Sequence, residues 1–302
     1  MKARKNLIII AGPTGVGKTA LAVRLAQEFH TEIISADSRQ FYREMKIGVA
    51  RPSDYELRAV PHHFIGSHSI LYPLNAGDFS IEALAKTNLL FEENNVVIVC
   101  GGSGLFIQGL VEGFDDLPGA DDEYRALLAT ILQSQGIEGL QKMVMQKDPE
   151  YYEYVDIQNP RRLMRALEVI NSSGRKYSEL RSKKMIEPPF NVLWIGLRLS
   201  RSELIDRINW RTDRMMEIGL LKEVESLYEF KKLDPLKTVG YTELFNYLDE
   251  IISLPEAIDQ MKIHTRQYAK RQMTWFSRKN LLWYHPENIE AVRQYIYSLI
   301  HL

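Results

Sequence analysis

The segment from residue 7 to residue 19 constrains the fold more than any other feature of this sequence. Residues 7–11 form a short, isoleucine-rich apolar run, and residues 12–19 (GPTGVGKT) match the pattern G-x-x-x-x-G-K-[ST]. Such an apolar run is typical of a buried parallel strand, and the motif requires a strand before it and a helix after it. The segment therefore predicts a strand, a phosphate-binding loop and a helix in succession.

This loop has the residue types that bind a diphosphate. Its glycines let backbone N–H groups turn towards phosphate oxygens, and the start of the helix adds a positive dipole end. Lys18 supplies a charge, and Thr19 is expected to hold Mg2+. The predicted diphosphate-binding residues of the loop are Gly12, Pro13, Thr14, Gly15, Val16, Gly17, Lys18 and Thr19.

Three further segments, residues 32–36, 96–100 and 191–199, are predicted to be strands, and helical segments separate them. This alternation indicates an α/β fold, a P-loop NTPase-like parallel sheet flanked by helices. Ligands bind beyond the carboxyl ends of the strands in such sheets. Asp37 follows the second strand at that edge, and the glycine-rich residues 101–104 follow the third.

The middle of the chain has a different pattern. Residues 121–187 contain helix-forming segments that Pro149, Pro160 and Gly174 separate. We therefore predict an inserted helical subdomain over residues 116–189 within a catalytic core formed by residues 1–115 and 190–302. Ser200 and Glu203 have the spacing of a capping box and predict that a helix starts after the fourth strand.

Composition excludes several classes of site. The chain has 302 residues and a net charge of −1, so its overall charge gives no sign of nucleic-acid binding. Cys100 is the single cysteine, which excludes an internal disulfide and a cysteine-based zinc site. Because no apolar run approaches the roughly 20 residues of a membrane-spanning helix, we expect no membrane association and a cytoplasmic protein.

These patterns leave the ligand of the loop open, because any diphosphate satisfies it. An ATPase or a kinase is the default interpretation. However, the strand at residues 96–100 ends in glycines, whereas a nucleotide hydrolase usually ends such a strand with a Mg2+-binding aspartate. Asp37 is the carboxylate that the sequence places at a strand end, either as a base or as a metal ligand.

Several further segments, together with the loop, resemble the tRNA dimethylallyltransferases. They are DSRQFY at residues 37–42, GVARP at 48–52, PHH at 61–63, YPLNAGDF at 72–79, GGSGLF at 101–106, NPRRLMRALEV at 159–169, VGY at 239–241 and TRQYAKRQMTWF at 265–276. The departures are small: Ser103 stands where the family often has threonine, and Phe106 where tyrosine is common. The single cysteine matches bacterial members, which lack the zinc finger of eukaryotic ones.

The resemblance implies that the loop binds dimethylallyl diphosphate with Mg2+. It implies that the acceptor is the exocyclic amine of the adenine 3′-adjacent to the anticodon of tRNA, bound through its anticodon stem-loop. We expect a monomer. The segment of Asp37, Ser38, Arg39 and Gln40 would lie against the target nucleotide, with Ser103 close by.

Asp37 is the predicted catalytic base, because an adenine amine is a poor nucleophile and its attack is helped by a carboxylate that accepts its proton. A helix cap or a turn is the alternative role for Asp37. The amide of Gln40 is expected to bond the edge of adenine. Lys18, Thr19 and Arg207 complete the predicted catalytic set, because they would stabilise the departing diphosphate.

Arg207, Arg211 and Arg214 share one face of a predicted helix. The resemblance places Arg207 or Arg211 near the diphosphate, and the alternative is a solvated stripe paired with Asp206 and Asp213.

Two clusters of basic residues are candidates for contacts with tRNA. The first has eight basic residues against Glu168 and Glu179: Arg161, Arg162, Arg165, Arg175, Lys176, Arg181, Lys183 and Lys184. The resemblance adds tRNA contacts at Arg161, Arg162, Leu163, Met164 and Arg165. The second cluster, in which Tyr268, Trp275 and Phe276 are interleaved, consists of Lys262, His264, Arg266, Lys270, Arg271, Arg278 and Lys279. Each cluster could instead be a solvated helical face over a core of aromatics.

Three other functions compete with tRNA prenylation. An adenylate isopentenyltransferase would use a free adenine nucleotide as acceptor, and the long basic insert favours tRNA over it. A small-molecule or nucleotide kinase would use ATP as donor. A noncatalytic RNA-binding protein would leave the phosphate loop and Asp37 unexplained.

Overall fold

A parallel sheet organises the larger part of the molecule. The structure is a computed structural model that describes residues 5–119, 121–181, 188–279 and 281–300. Six strands lie in the order β3-β2-β4-β1-β5-β6, and every neighbouring pair is parallel. The strands are β1 (Asn6–Ala11), β2 (Ile33–Ser35), β3 (His62–His63), β4 (Val96–Gly101), β5 (Asn191–Leu197) and β6 (Leu282–Tyr284).

The four strands predicted from the sequence are confirmed, with ends that differ by one or two residues. The edge strands β3 and β6 were not predicted. In β3, His62 pairs with Ile33 and His63 with Ile34. The His63 ring also hydrogen-bonds the Glu32 carboxylate, so its side chain supports this edge of the sheet.

Helices follow the strands, as the alternating pattern predicted. In this part of the chain they are α1 (Lys18–Glu28), α2 (Asp54–Ala59), α3 (Ala76–Glu93), α4 (Gly104–Glu112), α9 (Arg201–Glu217), α10 (Leu220–Ser226), α11 (Tyr241–Leu248), α12 (Leu254–Phe276) and α13 (Ile289–Leu299). The predicted capping box starts α9: Ser200 Oγ accepts from the Glu203 N–H, and the Glu203 carboxylate accepts from the Ser200 N–H.

Alternate residues of β1 pack into two separate cores, as strand geometry requires. Leu7 and Ile9 are buried with Phe79 and Phe276 on one face of the sheet. Ile8 and Ile10 are buried on the other face, with apolar residues of α1 and α13. The complete burial of Phe276 agrees with the alternative that this aromatic residue belongs to the core.

Contacts divide the chain into two compact units, residues 1–112 with 187–302 and residues 113–186. The predicted insert, residues 116–189, begins and ends three residues later than the second unit. The helices of this unit are α5 (Asp122–Lys147), α6 (Pro149–Tyr154), α7 (Pro160–Ser173) and α8 (Tyr177–Leu180). Its core contains buried residues of α5 and α7, among them Leu128, Val144 and Leu167.

Prolines and polar caps set the ends of the insert helices. Pro149 and Pro160 occupy first-turn positions, where a missing N–H removes no helical bond. Asp148 and Asn159 cap the same two helices by accepting from backbone N–H groups. Among the described residues, no helix is both long enough and apolar enough to cross a membrane.

Candidate active site

A large cavity opens at the carboxyl ends of the central strands. Its volume is about 1140 Å³, and all the residues around it belong to the larger unit. The phosphate loop (residues 12–19) forms one side, Asp37 and Gly101 form another, and residues 46–54 and α9 complete the wall. Parallel strands carry ligands at this edge. The structure therefore brings the phosphate loop and Asp37 to a single cavity.

The phosphate loop has the backbone conformation that its glycines allow. Gly15 and Gly17 have φ values of 83° and 100°, which side chains disfavour. Lys18 directs its Nζ atom to the Pro13 carbonyl at 2.9 Å and lines the cavity. Burial lowers the pKa of Lys18, and the nearby carboxylate of Asp37 opposes that shift. A diphosphate in the loop would give this lysine a further anionic partner.

Two arginines of α9 reach the loop. Arg211 donates from Nη2 to the Thr14 hydroxyl at 2.8 Å, and Arg207 donates to the Val16 carbonyl at 3.4 Å. Burial lowers the pKa of Arg211, and Asp37 again opposes the shift. Arg211 lines the cavity, whereas Arg207 is exposed. Of the two, Arg211 has the geometry of a diphosphate ligand.

The rest of the predicted arginine stripe is at the surface. Arg214 lies at the cavity rim and forms an ion pair with Glu217 at 2.8 Å. Asp213 pairs with Lys262 at 2.6 Å. Asp213 therefore pairs with a lysine of α12 and not with the arginines of its own helix, which the alternative interpretation had expected.

Asp37 is half-buried and also closes a local turn. Its Oδ1 atom accepts from the Arg39 N–H at 3.0 Å, which is the turn role considered from the sequence. Ser38 next to it is held by Ser103, whose Oγ accepts from the Ser38 N–H at 3.0 Å and donates to the Ser38 hydroxyl at 3.1 Å. The turn holds the carboxylate at the cavity wall. The turn uses only Oδ1 of Asp37, and the role of Asp37 as a base stays a prediction.

Arg39 and Gln40 bind the protein itself rather than an open surface. Gln40 Nε2 donates to the carbonyls of Val49 at 3.2 Å and Ala50 at 2.9 Å. Arg39 donates to the carbonyls of Asp234 and Pro235, both at 3.2 Å. The amide nitrogen that we expected to bond the edge of adenine thus binds residues 49 and 50 of the cavity wall. Paired hydrogen bonds between Gln40 and adenine would require these bonds to break.

Glu223, which the sequence did not single out, anchors that wall. Its carboxylate accepts from the N–H groups of Lys46, Ile47 and Gly48 at 2.8 to 3.1 Å. It also accepts from the Tyr241 hydroxyl at 2.6 Å. A Cβ at Gly48 would collide with the Tyr241 ring. The family-like segments GVARP and VGY are therefore brought together by Glu223, which belongs to neither.

Helix α12 closes the site from the side of the glycine loop (residues 101–104). Gln272 accepts from the Thr14 N–H at 2.8 Å and donates to the Gly102 carbonyl at 2.9 Å. Tyr268 hydrogen-bonds Ser103, and burial followed by the charge of Asp37 raises its pKa to about 12. Trp275 packs where a Cβ on Gly104 would stand. No role was predicted for Gln272.

The residues around the cavity fit a Mg2+–diphosphate better than a metal held by the protein alone. Thr19 lines the cavity beside Lys18, as a metal-binding hydroxyl should. Among the described residues, no cluster of three histidine, cysteine or acidic side chains could hold a metal. Mg2+ commonly binds through substrate phosphates, water and one or two protein groups. A single hydroxyl is consistent with that mode.

In the insert, the residues of α7 that were predicted to contact tRNA differ in their exposure and in their ion pairs. Arg161 and Arg162 are exposed. Leu163 is fully buried in the core of the unit, so its predicted contact with tRNA is wrong for its side chain. Arg165 lies 3.7 Å from the buried Glu168, which also binds Arg125 at 2.8 Å. Met164 is partly buried.

Ion pairs also reduce the free charge of both basic clusters. Arg175 pairs with Glu179 at 3.7 Å, and Lys183 and Lys184 lie outside the described residues. In the second cluster, three members are paired with carboxylates: Lys262 with Asp213, His264 with Glu243 and Lys279 with Glu112. Lys270 and Arg271 remain exposed.

Comparisons with known proteins agree with the geometry. The family model described as IPP transferase matches residues 40–279. A tRNA dimethylallyltransferase of Flavobacterium johnsoniae is 47% identical over 93% of each chain. The tRNA dimethylallyltransferase 1 of Bacteroides thetaiotaomicron is 44% identical over 98% of this chain and 97% of its own.

Two solved structures have the same fold. The tRNA isopentenylpyrophosphate transferase of Bacillus halodurans has a TM-score of 0.73 and 34% identity, and the match covers 98% of this chain and 96% of that one. A eukaryotic dimethylallyltransferase acting on tRNA has a TM-score of 0.79 and 26% identity, with 97% and 78% covered. The expected fold class is thereby confirmed.

Proposed function

Because this chain belongs to the IPP transferase family, we propose that it transfers the dimethylallyl group from dimethylallyl diphosphate to tRNA. The acceptor in this proposal is the exocyclic amine of the adenine 3′-adjacent to the anticodon. The observation that carries it is the position of Asp37 in one cavity with Lys18 and Arg211. A base and a cationic leaving-group site then border the same reacting centre.

The donor would bind through its diphosphate. Backbone N–H groups of the phosphate loop, Lys18 and Arg211 supply the positive charge, and the Thr14 hydroxyl holds Arg211 in place. Fixed cations stabilise a departing anion most when they are in position before the bond breaks. Loss of water from Lys18 and Arg211 on burial strengthens this effect, because Coulomb interactions increase as the local dielectric constant falls.

The transfer forms one carbon–nitrogen bond, breaks one carbon–oxygen bond and moves one proton. The amine nitrogen attacks C1 of the dimethylallyl group, and the C1–O bond breaks with its electron pair leaving on diphosphate. The amine proton passes to the Asp37 carboxylate. A carboxylate in this position raises the nucleophilicity of an amine whose lone pair is delocalised. No phosphoryl group moves.

Mg2+ would be held by Thr19 and diphosphate oxygens and would neutralise part of the leaving-group charge when bound. This chain's own residues bind the donor, orient the acceptor and accept the proton. The adenine must leave its stack in the anticodon loop to reach Asp37, at a cost of about a few kcal/mol.

Docking of tRNA is proposed to involve the insert. Arg161 and Arg162 are exposed cations on α7, and phosphate neutralisation by such residues dominates affinity for nucleic acid. The proposal further takes the enzyme to be a cytoplasmic monomer. Light scattering of the purified protein on a sizing column would test the monomeric state.

The test is a donor and acceptor competition. Purified protein is incubated with Mg2+, carbon-labelled dimethylallyl diphosphate and either unmodified tRNA, AMP or ATP, and a parallel set contains γ-labelled ATP. We expect carbon label in tRNA alone, with one diphosphate released per prenyl group transferred. A tRNA with guanine at the target position is the matched control. Label in AMP, or transfer of the γ-phosphate, would contradict the proposal.

A further inference from the structure

We propose that Gln272 is a positioning residue that fixes the distance between the donor and acceptor sides of the active site. The proposal rests on the prenyl transfer proposed above. Gln272 joins the two loops directly, because its side chain bonds Thr14 of the phosphate loop and Gly102 of the glycine loop. These partners are 258 and 170 residues away in the chain.

Each end of the Gln272 amide bonds a loop that leads to one of the two substrate sites. On the donor side, Thr14 carries the hydroxyl that binds Arg211 at 2.8 Å. On the acceptor side, Gly102 precedes Ser103, which binds both the N–H and the hydroxyl of Ser38. Ser38 follows Asp37. The amide is therefore the shared support of the diphosphate ligand and of the base.

The environment of Gln272 gives it little freedom. Its side chain is only 5% exposed, so water does not compete effectively for the two bonds. A Cβ at Gly102 would collide with the Gln272 Nε2 atom, which shows how closely the loop approaches the amide. The backbone of Gln272 belongs to α12, a helix of 23 residues, so the support is rigid.

Rigid spacing matters for a transfer between two separate ligands. The amine and C1 must approach to about 3 to 3.5 Å in line, and a misplacement of about 1 Å can slow a reaction on the order of 100-fold. Gln272 itself does not line the cavity and need not touch either substrate. Its loss should therefore reduce the rate of the chemical step more than the affinity for either substrate.

The test compares two variants of Gln272 with a matched control on the same helix. Gln272→Met keeps an unbranched side chain and removes both bonds. Gln272→Glu keeps an oxygen for the Thr14 N–H and loses the donor to Gly102. Gln260→Met makes the same exchange at a partly exposed position of α12, 12 residues earlier. The readouts are single-turnover transfer at saturating substrate, and separate binding titrations with donor and tRNA.

We expect Gln272→Met to slow single-turnover transfer on the order of 100-fold. Both affinities should stay within about threefold of the parent, and Gln260→Met should match the parent. Gln272→Glu should be slowed at least about tenfold, because one of the two bonds is lost.

A Gln272→Met rate within about threefold of the parent would overturn the positioning role, as would affinity losses as large as the rate loss. If Gln272→Met does not fold, Gln272→Glu is judged by the same two criteria. A parent protein that transfers no prenyl group refutes the proposed function instead, so the two failures are distinguishable.

Discussion

Replacement of Glu223 by alanine should loosen the part of the cavity wall that residues 46–54 form. The Glu223 carboxylate is the common acceptor for three consecutive backbone N–H groups and for the Tyr241 hydroxyl. Tyr241 is fully buried, so its hydroxyl would lose its acceptor without gaining water. The Lys46 N–H, by contrast, is near solvent and can be rehydrated.

The size of the effect follows from these exposures. A buried hydroxyl left without a partner costs about 1 to 3 kcal/mol, and a hydrogen bond to a charged group contributes about 1.5 to 3 kcal/mol. Since the backbone groups of Ile47 and Gly48 are only partly shielded, we expect Glu223→Ala to lower the free energy of unfolding by about 3 kcal/mol. The midpoint of thermal unfolding should fall by about 6 °C or more.

A double-mutant cycle separates the tyrosine from the backbone contribution. Tyr241→Phe alone should cost about 1 to 2 kcal/mol, and combined with Glu223→Ala it should cost less than the sum of the two single changes. Denaturant unfolding followed by circular dichroism provides the free energies. Glu225→Ala, at an exposed site of the same short helix, is the control. If Glu223→Ala cost no more than Glu225→Ala, Glu223 would not anchor the wall.

Three further predictions concern the chemistry of the site and the tRNA surface. Asp37→Ala should slow single-turnover transfer by about 100- to 10,000-fold while donor and tRNA titrations stay near the parent, and an unchanged rate would remove Asp37 as the base. Arg161→Glu with Arg162→Glu should weaken tRNA binding and make the slope of log affinity against log salt less negative by about 1 to 2; an unchanged slope would exclude these residues as phosphate contacts. Burial raises the pKa of Cys100 to about 12, so its thiol should resist iodoacetamide at pH 8 in the folded protein and react in guanidinium; fast alkylation of the folded protein would contradict this.

The sequence predicted those parts of the fold whose signals are local. The run at residues 7–11, the phosphate loop and α1 are adjacent, so their pattern could be identified without knowledge of distant contacts. The strands β3 and β6 have only two and three residues and were not predicted. Their assignment depends on pairing with β2 and β5, which local sequence does not reveal.

The same distinction applies to the site. Asp37 could be identified because it directly follows a strand, and Lys18 because its motif is contiguous. Glu223 and Gln272 are polar residues of helices, and their backbone partners lie 170 to 258 residues away. The burial of the Leu163 side chain was missed for a related reason: a contiguous run of family residues was assigned to tRNA, but a helix turns some residues of every turn inwards. Arg161 and Arg162 remain on the outer face.

The sheet order explains why glycines end the strand that would carry a metal-binding aspartate in a nucleotide hydrolase. Strand β4 lies between β1, which leads into the phosphate loop, and β2, which leads to Asp37. A Cβ at Gly101 would collide with the Ala36 carbonyl, and one at Gly102 with Gln272, so neither position can accept an aspartate without moving its neighbours. The carboxylate of the site instead follows the neighbouring strand β2, in the same cavity as Lys18 and Arg211.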